Sequence, residues 1–154
     1  MELIYANINV EYSNTFEYFK ETFEKMYKTN SVCEKYLDSI IDREKIFPTG
    51  LKIGNINIAI PHTDHKYSNV EGIVLSTLKS PLIFKRMDDP DKDVSVDIII
   101  HLFFNTGDKK VEVLQKLMAL VQNQEKLKEI LKCKNENEIK NIIKNLFKEK
   151  VTNE

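Results

Sequence analysis

Apolar residues recur at helical spacing near both ends of the chain, and the middle is occupied by runs with the character of β-strands. After a short β-like start, Asn14 or Thr15 is placed to cap a helix through "FEYFKETFEKMYK". Phe16, Phe19, Phe23, Met26 and Tyr27 recur there every three or four positions. Ser31 followed by Glu34 is a capping-box pattern and predicts a second helix through "CEKYLDSIIDREK", which "FPTGL" then breaks. Three segments follow that are rich in β-branched residues and bounded by Pro, Gly, Asn and Asp: "INIAIP", "GIVLSTLKSPLIF" and "VSVDIIIHLFF". The last is almost continuously apolar, as suits a strand covered on both faces. "KRMDDPDKD" reads as a polar loop between strands. From Asp108 the helical period returns, with Val111, Leu114, Leu117, Met118 and Val121 on one face. A shorter helix through "QEKLKEILKC" follows, then a final one from Asn135 in which Glu138 completes a cap. Helices at both ends of a strand cluster predict an α/β sandwich.

At 154 residues, with no Gly/Ser/Pro-rich linker and no internal repeat, the chain is expected to be one domain spanning 1–154. Hydrophobic residues at 42% and charged residues at 31% exclude a disordered chain, and a net charge of −1 gives no general attraction to nucleic acid or anionic membrane. The basic run "KLKEILKCK" is interleaved with acids and reads as a solvated helix face. Cys33 and Cys133 form neither a CxxC nor a zinc spacing and read as reduced thiols. "MELIYANINVEY" lacks the features of a signal peptide, and "VDIIIHLFF" is too short to span a bilayer, so a cytoplasmic location is expected.

The phosphate-cradling glycine loops, the G-x-S-x-G elbow and H-E-x-x-H are all absent. Chemistry must therefore come from a side chain of the protein or from a metal. Attention falls on "IAIPHTDHKY", which holds two of the three histidines. Pro61 has no N–H and favours a strand edge or end, which would set His62 at the top of a sheet, where ligands commonly bind in α/β folds. A metal site from His62, Asp64 and His65 would crowd three ligands into one turn, with no further cluster to complete them. His65 reads as a surface turn residue, and His101, inside "DIIIHLFF", as a core histidine with a satisfied ring. Neutral imidazole is also a nucleophile, and as a phosphoryl acceptor it needs cations or hydrogen-bond donors for the phosphoryl oxygens, but no nucleotide site if the donor is another phosphoprotein.

"DREKIFPTGL…INIAIPHTD", followed at a distance by "DIIIHLFFNTGDKKVEVLQKLMALVQNQEKLKEIL", resembles the fructose/mannitol superfamily of EIIA proteins. These belong to the bacterial phosphoenolpyruvate-dependent sugar phosphotransferase system. The "FPTG" and "AIPH" pair is most similar to the galactitol-type branch, and the resemblance covers roughly residues 5 to 147. It implies an α/β fold, a mixed β-sheet flanked by helices in a mannitol-type EIIA-like sandwich, with a transiently phosphorylated histidine. His62 matches that phosphoacceptor, and Arg43 matches an arginine placed near it, a planar cation suited to phosphate oxygens. Mannitol- and fructose-type members carry a second histidine at the start of the following helix; here that position falls on Lys110, which can supply charge but not the imidazole pattern. Thr63 and Asp64 are placed to orient the ring or its loop. The resemblance implies a phosphotransferase role: phospho-HPr as donor, a cysteine of an EIIB component as acceptor, and uptake of a sugar alcohol such as galactitol. It implies no metal, no cofactor, no nucleic acid and only indirect membrane association through the EIIB/EIIC transporter. Some relatives instead use the same histidine as a regulatory signal, and a degenerate binding module would take no phosphoryl group at all.

Overall fold

The computed structural model describes residues 3–148. Its elements are β1 (Leu3–Val10), α1 (Thr15–Lys28), α2 (Tyr36–Ile46), β2 (Gly50–Leu51), β3 (Ile58–Ala59), a 3-10 turn (His65–Tyr67), β4 (Gly72–Lys85), β5 (Asp93–Phe103), α3 (Lys110–Val121), α4 (Gln124–Lys132) and α5 (Glu136–Lys148). The strands form one sheet in the order β1-β4-β5-β3-β2. β1 runs parallel to β4 and β3 parallel to β5, while β4/β5 and β2/β3 are antiparallel, so the sheet is mixed.

The near-continuous apolar run of β5 is explained by helices on both faces. Ile98, Ile100 and Leu102 join the core beneath α3, α4 and α5; Ile99 and Phe103 join the core beneath α1 and α2. Alternation along one strand thus feeds two cores. His101 points to the α1–α2 side, where the Tyr18 and Tyr36 hydroxyls meet its two ring nitrogens at 3.0 and 2.7 Å.

Several local expectations hold. The Asn14 side chain accepts from the Glu17 N–H at 2.9 Å and starts α1. At the start of α5 the Asn135 side chain accepts from the Glu138 N–H, and the Glu138 carboxylate accepts from the Lys134 N–H. Others do not. Ser31 caps nothing: its hydroxyl bonds Thr29 Oγ1, Val32 bridges to Ser68, and α2 begins only at Tyr36 without a side-chain cap. The buried face of α3 is Val113, Leu117, Leu120 and Val121, whereas Val111 and Met118 are exposed, as are Phe16 and Tyr27 of α1. α3 starts at Lys110, two residues later than the return of the helical period suggested. "FPTGL" does more than break a helix, because Gly50 and Leu51 form the edge strand β2. Gly50 is required there: a Cβ would stand 2.5 Å from the Lys85 carbonyl oxygen and 2.6 Å from a Val94 methyl.

Candidate functional site

His62 is held by backbone contacts at the end of β3. The Ile60 N–H donates to the Thr49 carbonyl at 3.3 Å, and the Leu102 N–H donates to the Pro61 carbonyl at 3.0 Å, tying the segment to its neighbours on both sides. The chain then leaves the sheet and turns. His62 is only 7% exposed, and its Nδ1 lies 2.9 Å from the Ile60 carbonyl oxygen. A carbonyl can only accept, so Nδ1 carries the proton and Nε2 the lone pair. Among the described residues no sealed side-chain nitrogen or oxygen lacks a partner, so Nε2, which has none, reaches the surface. Burial lowers the His62 pKa, the Ile60 bond pulls it partly back, and the charges of Lys110 and Arg43 lower it further.

A cavity of about 130 Å³ adjoins this ring, lined by Arg43, Thr63, Asp64, His65, Phe104, Thr106, Gly107 and Lys110. Arg43 arrives from the last turn of α2 and Lys110 from the first residue of α3. Neither makes a salt bridge among the described residues, and the Arg43 guanidinium lies over the Phe47 ring at 4.6 Å. Phe104 meets the His62 ring edge-on. Thr63 bonds the Ser39 hydroxyl of α2. The Asp64 side chain accepts from the Lys66 N–H at 2.9 Å, the chief reason its carboxyl lies below the usual range. These elements set Arg43 and Lys110 on one cavity wall, close enough for both charges to act on the His62 ring, where an oxyanion would be stabilised.

The structure therefore gathers His62, Arg43, Lys110, Thr63 and Asp64 in one place. His65 begins the 3-10 turn and is exposed, as a turn residue would be. It also lines the cavity, its ring 3.9 Å from where a Gly107 side chain would begin. That role, and those of Phe104, Thr106 and Gly107, carry no local sequence signal. His101 does not line the cavity and is sealed in the core. A larger cleft, about 670 Å³ between α3, α4 and α5 around Cys133, contains none of the residues considered for phosphoryl chemistry. Among the described residues no group of three or more His, Cys, Asp or Glu side chains is arranged to hold a metal ion, and no helix is long and apolar enough to cross a membrane.

A half-tethered, buried histidine just beyond an inner strand, beside two cations that make no salt bridge among the described residues, defines a class of mixed-sheet α/β proteins with a histidine site at one end of the sheet. Comparison with known proteins makes the class specific. Residues 2–146 match the family model "Phosphoenolpyruvate-dependent sugar phosphotransferase system, EIIA 2", and the chain belongs to that family. It is similar to the galactitol-specific EIIA component of the phosphotransferase system in Escherichia coli (strain K12). The two are 25% identical over 122 residues, covering 79% of this chain and 81% of the relative. Its fold resembles the nitrogen regulatory protein IIA-Ntr from Neisseria meningitidis (TM-score 0.73, 23% identity, 90% of this chain and 92% of that one). It also resembles the complex of enzyme IIA-mannitol and phosphorylated enzyme IIB-mannitol from Escherichia coli (TM-score 0.69, 16% identity, 91% and 94%). The expectation of a mixed sheet flanked by helices, of the mannitol-type EIIA kind, is borne out.

Proposed function

We propose that this chain is a single-domain cytoplasmic phosphocarrier that accepts a phosphoryl group from phospho-HPr on His62 Nε2 and passes it to a cysteine of an EIIB component. The observation that carries the reading is the single tether on the ring: Nδ1–H is committed to the Ile60 carbonyl, and Nε2 is left as the nucleophile. In the first step the Nε2 lone pair attacks phosphorus in line. The P–N bond of the donor phosphohistidine breaks, and its electron pair stays on the donor nitrogen. As the His62 ring becomes cationic, the Ile60 carbonyl stabilises the Nδ1 proton in place. Arg43 offers a planar set of donors to the phosphoryl oxygens, and Lys110 a point charge at the start of α3. In the second step a thiolate attacks phosphorus and the pair returns to Nε2. No metal or other cofactor takes part in either step.

Exposed apolar residues flank the charged mouth, with Ile46 and Phe47 following Arg43 and Val111 following Lys110. They suit a rim on which two protein partners dock in turn. Similarity to the galactitol-specific relative supports a sugar alcohol such as galactitol as the eventual cargo. The fold shared with an EIIA seen in complex with phosphorylated EIIB supports the acceptor.

The test is to incubate the purified chain with phosphoenolpyruvate, enzyme I and HPr and weigh it intact under alkaline conditions. A gain of one phosphoryl mass that requires HPr and is absent in His62→Ala is expected. No gain with a competent HPr overturns the reading. Onward transfer to an EIIB cysteine separates a carrier from a purely regulatory EIIA.

A further inference from the structure

Arg43 in "DREKIFPTG" is followed directly by an acidic residue, Glu44. Glu44 is half-buried on α2, and its carboxylate receives both donors of Thr49: the backbone N–H at 2.6 Å and the hydroxyl at 2.5 Å. The Thr49 carbonyl in turn accepts the Ile60 N–H, and the Ile60 carbonyl accepts His62 Nδ1–H. Four hydrogen bonds thus run from one carboxylate to the imidazole, and each fixes the next group along.

We propose that Glu44 is a positioning residue for His62, acting through Thr49 and Ile60 to keep the proton on Nδ1 and the lone pair on Nε2. This rests on the reading of His62 as the phosphoryl acceptor. Without the carboxylate, two Thr49 donors lose their partner in a buried segment. Thr49 must then turn to find others, and its carbonyl turns with it. Ile60 loses its anchor, and its carbonyl no longer holds one ring nitrogen in preference to the other.

The clamp does not need the charge. Burial pushes the Glu44 carboxyl up to about 7, against the pull of the Thr49 donors and Arg43. When it is protonated, one oxygen still accepts the Thr49 N–H. The acid O–H donates to the Thr49 hydroxyl, which accepts as readily as it donates. A glutamine amide offers the same one-donor, one-acceptor pair. Charge and geometry can therefore be separated by substitution.

The experiment uses the whole chain labelled with ¹⁵N-histidine and reads the tautomer of His62 by long-range ¹H–¹⁵N correlation. Phosphoryl acceptance from phospho-HPr is measured alongside. Wild type and Glu44→Gln are expected to hold the Nδ1–H form. Glu44→Ala is expected to show a mixed tautomer and roughly three- to tenfold slower acceptance, the worth of one hydrogen bond. Glu44→Leu fills the volume without an acceptor and repeats the test should the alanine variant not fold. Unchanged His101 signals report that the core is intact. If His62 keeps the Nδ1–H form in a folded alanine or leucine variant, the proposal is overturned. So it is if glutamine behaves like alanine. The tautomer is read without phosphorylation, so a wild type that takes no phosphoryl group sinks the function and leaves this outcome separately decided.

Discussion

His101 makes the protein acid-sensitive, and the size of the effect can be worked from its surroundings. The ring is sealed between Tyr18 and Tyr36, and burial, with a minor contribution from His62, lowers its pKa from 6.5 to about 3. Both nitrogens are partnered in the neutral form. The Tyr18 hydroxyl also lies beside Thr22 and Ser76, which can take its proton. All three side chains are satisfied if Nδ1–H donates to Tyr18 and Tyr36 donates to Nε2. A second ring proton would have to be accepted by the Tyr36 oxygen, and the Tyr36 hydroxyl hydrogen would lose its partner. The folded value lies below the unfolded one, so the unfolded chain binds the proton first. Stability is full above about pH 6.5 and is lost as the pH falls toward about 3. A gap of about 3.5 units corresponds to ~5 kcal/mol when fully expressed. Between about pH 7.5 and about pH 4.5 the loss is ~3 kcal/mol, or roughly 1–2 M in urea midpoint. The assay is urea unfolding at both pH values for wild type, His101→Gln and His101→Phe. The variants lose stability at neutral pH, but the readout is the slope with pH. His62, lowered, adds to the slope and Glu44, raised to about 7, opposes it, and both cancel between wild type and variant. If wild type loses no more than the variants over this interval, the ring is not held neutral by its burial.

Arg43→Ala should slow phosphoryl acceptance by about 10- to 100-fold, the worth of a charge-assisted hydrogen bond, and Lys at that position should recover only part. Lys110→Ala should cost less, since a point charge on a helix end is easily replaced by water; rapid-quench assays of both variants check the order. The acceptance rate should stay level as the pH falls through about 6.5, because burial keeps the His62 ring neutral below the ordinary histidine range. A rate that has already halved at that pH refutes this. Gly50→Ala should destabilise the fold by about 1–3 kcal/mol, since the new methyl meets the Lys85 carbonyl and a Val94 methyl at 2.5 and 2.6 Å. Chemical denaturation measures it.

What the sequence made legible was whatever short-range physics decides. Strand β5 was readable because burial on both faces leaves an apolar run, and the caps at Asn14 and Asn135 because their partners lie within four residues. Ser31 and Glu34 had the same spacing and failed, because a tertiary partner outbid the cap: the Ser31 carbonyl takes the Asn69 N–H at 2.8 Å as Val32 bridges to Ser68. The face of α3 was misjudged because Val111 lies on the turn that carries Lys110 to the cavity, where apolar exposure is retained. The candidates Arg43, His62 and Lys110 stand out through motifs rather than through periodicity. Phe104, Thr106, Gly107 and the cavity-facing side of His65 were not found, since nothing local in the chain says that the end of β5 folds over the turn after β3. Glu44 is the intermediate case: five residues separate it from Thr49, but its importance appears only once Ile60 is seen to join Thr49 to His62.

Two of the histidines show why burial alone does not make a reactive imidazole. Both lie within the fold, and in both burial is the main cause of a lowered pKa. Desolvation keeps each ring neutral and so preserves a lone pair, which is half of what a nucleophile needs. The other half is a nitrogen with nothing to do. His101 has hydroxyls on both sides, and its lone pair is already occupied by a hydrogen bond. His62 has a carbonyl on one side only, and a carbonyl can hold no nitrogen but a protonated one. That single asymmetric contact fixes the tautomer, frees Nε2 and waits to stabilise the charge that phosphorylation would place on the ring. Placing a hydroxyl partner on each of its nitrogens, as at His101, would give an equally buried and equally neutral ring with no free lone pair.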